Sequence, residues 1–456
     1  MKKYEEDVIK TMPMFMLIFI TSASILGAFN IISPQVMVDF NLEYSTVSML
    51  ATIGLLVMGI ASVIFSTLSD NISIRKLMLI GVGLFNIGAI LAIISSFIHF
   101  YLFVIAVAIM VCGGTCGSGL MIVTVTKYLS PERQSKYYGY NTACVGLSGA
   151  VGILAGGFIS TYIGWRALFI LPFLSLITIP YIKKYIPDEK GNNNDKLDFI
   201  GLSLLSLFTL FISLFFSVNN IIILFIAILF LLSFFIYISK NAKAFINITF
   251  FKNTKFVIIN VLALIVFGLQ SAYGFLFPFM AQGVYGLQLD KVSLLLLPTY
   301  ATSILIGANS GKIVEKLGSF KTLLLAISCA ICSSIASAFC ADKGVVMIGI
   351  TAILYTGSFA FMYAPFMKLV TGTLKMNQVG VGIGFFNLMT GIGPSLFIAI
   401  TGKMLTMTSL TKNLGLVETK ASLFSNILLI YAVFLVISLF LFYVNKKSYK
   451  NQSDKL

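Results

Sequence analysis

The chain has 456 residues, of which 58% are hydrophobic and 10% charged, and its mean hydropathy is +1.00. A water-soluble fold carries roughly 25% charged residues, so this composition excludes a soluble domain. The formal charge of +15 does not point to nucleic acid, because the Lys and Arg residues are scattered between apolar runs and form no basic domain.

The first twelve residues are polar and mixed in charge (Lys2, Lys3, Glu5, Glu6, Asp7, Lys10), and the apolar run behind them is too long for a signal-peptide core. It reads as a retained first membrane span. Apolar runs of about 18 to 25 residues, each long enough to cross a bilayer, predict an all-α integral membrane protein. Fourteen spans are expected, centred near Ile25, Gly59, Gly88, Cys112, Gly149, Leu174, Phe208, Phe230, Leu269, Ser303, Cys332, Ile353, Gly391 and Ala432. An even number places both termini on one side. The connections alternate in basic content: one set holds Lys2 to Lys10, Arg75 and Lys76, Lys127 to Lys136, Lys183 to Lys196, Lys240 to Lys255, Lys312 to Lys321, Lys375 and Lys446 to Lys455. The other has only Arg166, Lys291, Lys343, Lys403, Lys412 and Lys420. The positive-inside rule makes the first set, and both termini, cytoplasmic. The cysteines Cys112, Cys116, Cys144, Cys329, Cys332 and Cys340 fall within or at the end of apolar runs, which suits small-residue packing better than disulfides or metal ligation.

The longest internal polar break, Lys183 to Asp198, cannot bury a core and reads as a linker. Spans seven and eight behind it are rich in Phe, Leu and Ile and poor in Gly, the composition of lipid-facing, peripheral helices. The expected organisation is an N-terminal six-helix bundle over 1–182, linkers and two inserted helices over 183–256, and a C-terminal six-helix bundle over 257–456. An internal repeat supports it. The loop after span two reads Ser66-Thr-Leu-Ser-Asp70-Asn-Ile-Ser-Ile-Arg75-Lys76, and the loop after span ten reads Gly311-Lys-Ile-Val-Glu315-Lys316-Leu-Gly318-Ser-Phe-Lys321. An acid at a helix end, a tight turn and a following cation can form a charge relay between helices that separate and rejoin. An ordinary basic loop is the plainer reading of either copy alone, but two copies at equivalent places in two six-span halves favour the functional one.

These loops resemble the loop motif of the major facilitator superfamily, the second copy more faithfully than the first, where Ser66, Asn71 and Ser73 replace the usual Gly, basic residue and Gly. Span five resembles the glycine motif of exporters in Gly139, Gly152, Gly156 and Gly157, with Ile153 at the usual Pro and Ser148 at a usual Gly. Such residues let helices approach closely, either as generic packing or as a seal between the two halves. Fourteen spans, the inserted pair and stretches such as Gly156-Gly-Phe-Ile-Ser-Thr-Tyr-Ile-Gly-Trp165 and Ser358-Phe-Ala-Phe-Met-Tyr-Ala-Pro365 are similar to the drug:proton antiporter branch, and within it to tetracycline-efflux proteins of Gram-positive bacteria.

The resemblance implies a major facilitator fold and a pathway lined by spans one, four, nine and twelve, which selects Asn30, Thr115, Ser118, Gln270, Tyr273, Tyr355 and Tyr363 as substrate-binding candidates. Lys368, in the last part of span twelve, either snorkels to the interface or faces the pathway, where it would bind an anionic substrate group or exchange a proton. Asp70, Arg75, Lys76, Gly311, Glu315, Lys316, Gly318 and Lys321 are the candidate conformational motif. The sequence departs from the branch in having no acid in the middle of a span: Asn30 ends a Gly-Ala-Phe-Asn stretch where an acid is usual, and Pro394 stands near a typical Glu. The coupling group is then expected at an interface, as Asp39 or Asp70, or is Lys368.

The expected function is secondary export of a small amphiphilic compound, a drug such as tetracycline, across the bacterial cytoplasmic membrane in exchange for protons. The alternative is an exporter of an endogenous lipid, peptide or siderophore-like metabolite with different or no proton coupling. An enzyme is not expected, since the single His99 sits in a loop without a nucleophile or metal constellation, and no P-loop motif is present. The expected partners are the small-molecule substrate and the lipid bilayer, without nucleic acid or cofactor, for a monomer driven by a transmembrane ion gradient.

Overall fold

Inside a bilayer the backbone must satisfy its own hydrogen bonds, and a chain of long apolar runs with short polar turns does so as helices. The computed structural model describes residues 4–69, 72–189, 198–241, 248–374 and 379–446; Asp70 lies outside them. Among the described residues fourteen helices are long and apolar enough to cross a membrane. Spans one to six are Glu5–Asp39, Tyr44–Ser66, Ile74–Ser95, Phe100–Tyr128, Ala143–Tyr162 and Trp165–Tyr185. Spans seven and eight are Ile200–Val218 and Ile221–Lys240. Spans nine to fourteen are Thr254–Tyr285, Leu289–Gly307, Ser319–Phe339, Val345–Gly372, Gly382–Leu405 and Thr419–Val444. Every expected span centre falls inside one of them.

The helices form two compact units. The first comprises the described residues within 1–40 and 53–197, the second those within 41–52 and 198–456. In the first unit small residues set the packing. A methyl group added at Gly152 of span five would collide with the Ser24 carbonyl of span one, and one at Gly156 would press on Ala28. Ser24 Oγ donates to the Ser148 carbonyl across the same seam, at 3.0 Å. Spans three and four meet as closely, with Gly88 against the Met110 backbone and Gly113 against that of Phe85. Backbones this near can be reached only where side chains are missing. Val8, Met12, Phe15, Ile74, Leu120 and Ile182 belong to the buried apolar cluster that joins spans one, three, four and six.

The second unit repeats the arrangement: Gly393 of span thirteen lies against the Leu264 carbonyl of span nine, and Gly268 against Phe397. Spans one and five of one six-helix set thus correspond to spans nine and thirteen of the other. Ser334 of span eleven donates to the Leu428 carbonyl of span fourteen at 2.9 Å. The first turns of span two belong to this unit, where Thr52 Oγ1 donates to the Ser395 carbonyl at 3.2 Å. Spans seven and eight pack on each other and on span thirteen, through Leu205, Phe234, Ile238, Leu388 and Ile392. Only 28% and 17% of their apolar windows are buried, the lowest values among the fourteen, which leaves most of their Phe and Ile surface for lipid.

Candidate functional site

Spans four and twelve, the fourth helices of their sets, are each interrupted. Span four consists of the helices Phe100–Gly114 and Cys116–Tyr128, which meet at Thr115. The flanking glycines allow it: Gly114 abuts Ser22 and Gly117 abuts the Phe19 backbone, both on span one. Span twelve consists of Val345–Ala360 and Tyr363–Gly372. Here the cause is Pro365, which has no N–H to return to the Phe361 carbonyl.

In the first unit Asn30 is half-buried, and its Oδ1 is buried without a hydrogen bond among the described residues. Thr115 is buried, and its hydroxyl donates to the Val111 carbonyl of its own helix at 2.7 Å. The half-buried Ser118 donates to the Thr115 carbonyl at 3.2 Å. Of the three, Asn30 alone makes no side-chain hydrogen bond to its own helix among the described residues.

In the second unit Tyr273 and Tyr355 are buried and stack at 4.1 Å with an interplanar angle of 17°. Tyr355 Oη donates to the Leu269 carbonyl at 3.3 Å, whereas Tyr273 Oη and the neighbouring Ser337 Oγ are buried without a partner in hydrogen-bonding geometry. These two rings serve the interior of the unit. Gln270 is half-buried, and Tyr363 is 50% exposed beside the break in span twelve. Lys368 is half-buried on the same short helix and makes no ion pair among the described residues.

The two copies of the loop motif differ. Arg75 Nε donates to the Ile186 carbonyl just past span six, at 2.6 Å, and the Ser73 hydroxyl donates to the Asp188 carboxylate. Lys76 is exposed. In the second copy Gly311, Glu315, Lys316 and Lys321 are all exposed, and none of the charged residues forms an ion pair among the described residues. Gly318, at φ 78° and ψ 154°, ends one helix and begins the next. As for the exporter-type glycines, Gly152 and Gly156 hold spans one and five together, Gly157 is buried in the same helix, and Gly139 lies on the helix Pro131–Tyr162. The contacts of Gly152 and Gly156 lie inside the first unit.

One constellation went unread in the sequence. Asp39 Oδ2, at the end of span one, accepts from the Trp165 indole N–H and from Arg166 Nη1, each at 2.8 Å. Arg166 Nη2 donates to the Ser96 carbonyl past span three at 3.2 Å, and its guanidinium lies over the rings of Trp165 and Phe97 at 4.5 and 4.8 Å. Asp39, a candidate coupling acid from sequence, is thus engaged as a tie between spans one, three and six. The signal was Trp165-Arg166 directly after Gly164, which adopts φ 114°. Among the described residues no Asp or Glu lies in the middle of a span.

A family model of the Major Facilitator Superfamily matches residues 14–398. The chain belongs to the major facilitator superfamily. It is a multi-pass membrane transporter, and its fourteen spans fit the fourteen-span branch of the superfamily. It is 23% identical over 390 residues to the riboflavin transporter RibZ of Clostridioides difficile, covering 83% of this chain and 84% of that protein. It is 25% identical over 392 residues to the quinolone resistance protein NorB of Staphylococcus aureus, covering 82% and 84%. Among solved structures, a bacterial homologue of the human lysosomal transporter Spinster, in an inward-facing and unoccupied conformation, is similar at TM-score 0.69 and 13% identity over 99% of both chains. A D-xylose-proton symporter is similar at TM-score 0.67 and 15% identity, over 97% of this chain and 98% of the other. At these identities the likeness concerns the fold.

Proposed function

We propose that this transporter exports a small amphiphilic compound, a drug such as tetracycline, across the bacterial cytoplasmic membrane in exchange for protons, with both termini cytoplasmic. The observation that carries the reading lies in the second unit: the half-exposed Tyr363 of span twelve packs against Phe267 and Phe386, with the half-buried Gln270 one turn from Phe267 on span nine, a sparse polar set beside aromatic rings that suits an amphiphile better than a sugar. Similarity to a quinolone resistance protein supports the same direction. Because the described acids lie at span ends or outside the spans, the coupling carboxylate belongs near an interface, with Asp70 foremost.

Expression in a bacterial host deleted for its own pumps should raise resistance to tetracycline, and proteoliposomes with an imposed pH gradient should accumulate it. Absence of both resistance and gradient-driven movement of tetracycline or of fluorescent amphiphiles would refute the reading. A second reading, a metabolite as substrate, is favoured by the comparable similarity to a riboflavin transporter. Competition of transported tetracycline by metabolite extracts but not by drugs would select it.

A further inference from the structure

Phe267 of span nine, Tyr363 and Phe366 of span twelve and Phe386 of span thirteen form one aromatic cluster. Ring centroids are 5.8 Å apart for Phe267 and Phe366, 6.2 Å for Phe267 and Tyr363, and 6.0 Å for Tyr363 and Phe386. Phe366 and Phe386 are fully buried, whereas Tyr363 is half exposed, so a packed aromatic base presents one phenol ring outward. On the short helix Tyr363–Gly372 the helical repeat puts Pro365, Phe366, Leu369 and Val370 on the buried arc. The accessible arc carries Tyr363, Met367, Lys368 and Thr371. Thr371 uses its hydroxyl on the Met367 carbonyl at 3.0 Å, leaving the phenol and the ammonium as the polar groups of that face. One turn from Phe267, Gln270 is half-buried and makes no side-chain hydrogen bond among the described residues.

Lys368 is the only Asp, Glu, Lys or Arg between Val345 and Gly372. A cation on a membrane-spanning helix is costly unless it is paired, and among the described residues the protein supplies no carboxylate to pair it. An anion brought by the substrate would do so, while a flat ring stacks on Tyr363 and Gln270 meets a ring carbonyl. We propose that this face binds a planar aromatic compound carrying an ionised acid group, held by stacking on Tyr363 and by charge pairing with Lys368. The assignment rests on the export reading and narrows its substrate class.

The test compares nalidixic acid, an aromatic carboxylate, with its uncharged ethyl ester, by direct binding to the purified full chain in detergent at neutral pH. The acid should bind at least about tenfold more tightly than the ester, as a charge-assisted pair predicts. Lys368→Gln should erase that preference while keeping ester binding, which also shows that the variant is folded. Lys368→Arg should retain the preference, and Tyr363→Ala should weaken acid and ester alike, by about five- to tenfold. Equal binding of acid and ester to the unaltered protein, a preference that survives Lys368→Gln, or no binding of the acid would overturn the proposal. Tetracycline efflux, the readout of the export reading, separates the two readings. Efflux without acid-over-ester preference removes the site and leaves export, and the preference without efflux removes export and leaves the site.

Discussion

Ser73 and Gly318 occupy the same register in the two copies of the loop motif, and each caps the span that follows, span three in one unit and span eleven in the other. Ser73 sits at φ −59° and ψ 138°, and its Oγ accepts from the Lys76 N–H at 3.4 Å. Gly318 sits at φ 78° and ψ 154° and offers no side chain. Two residues on, the copies diverge again. Arg75 donates to the Ile186 carbonyl past span six, while Phe320 stacks on Phe442 near the end of span fourteen, with centroids 4.7 Å apart and an angle of 27°. Each loop is therefore fastened to the sixth helix of its own set, by a polar tie in the first unit and an aromatic one in the second. The repeat preserves a place of attachment and not a chemistry. In the second copy this frees the charges of the motif from holding the loop in place.

The largest effect is expected at Gly318, because its dihedrals lie where residues with a Cβ are strained. Gly318→Val should cost about 1–3 kcal/mol and lower the unfolding midpoint of the purified protein in detergent. The reciprocal change, Ser73→Gly, removes a cap without imposing strain, and the lost cap alone should cost only a few tenths of a kcal/mol. Equal midpoints for Gly318→Val and the parent would break the contrast.

Next come the two fasteners. Arg75→Ala deletes a charge-assisted hydrogen bond and should cost about 1–2 kcal/mol, since the group is only half-buried. Phe320→Ala should cost about 1 kcal/mol through the lost ring pair, and unlike Arg75→Ala its effect should not depend on salt. If Arg75→Ala left the midpoint unchanged while Phe320→Ala lowered it, attachment to span six would rest on other groups, Ser73 and Asp188 first among them.

Much of the fold was legible because bilayer physics writes it into single-residue composition: every run from Glu5–Asp39 to Thr419–Val444 is marked by length and apolarity alone. The glycine seams were legible in part, since Gly152 and Gly156 announced a close approach but not its partner, span one. What sequence could not supply were contacts between distant residues. Asp39 meets Arg166 across 127 positions, and Arg75 meets Ile186 across 111. Nor does a residue type say whether its hydroxyl is already engaged. Thr115 reads as a pathway group until its bond to Val111 is seen, and Tyr355 until its stack with Tyr273 is.

The smallest effect on stability, and the one that sharpens the comparison most, is expected for the charges of the second copy. Glu315 and Lys316 are exposed and unpaired among the described residues, so Glu315→Gln and Lys316→Gln should each leave the unfolding midpoint within about 0.5 kcal/mol of the parent. A role for them then lies outside the contacts of this structure, and the charge relay suggested by the motif provides one: a pair made in one state of the transport cycle and broken in another. Losing a charge-assisted partner in one state alone shifts the balance of states by roughly 1–3 kcal/mol. Transport in proteoliposomes should therefore fall by about tenfold or more for Glu315→Gln although the protein is as stable as before. Unchanged transport together with unchanged stability would mean that the second loop is held by Phe320 and that its charges take no part in a relay.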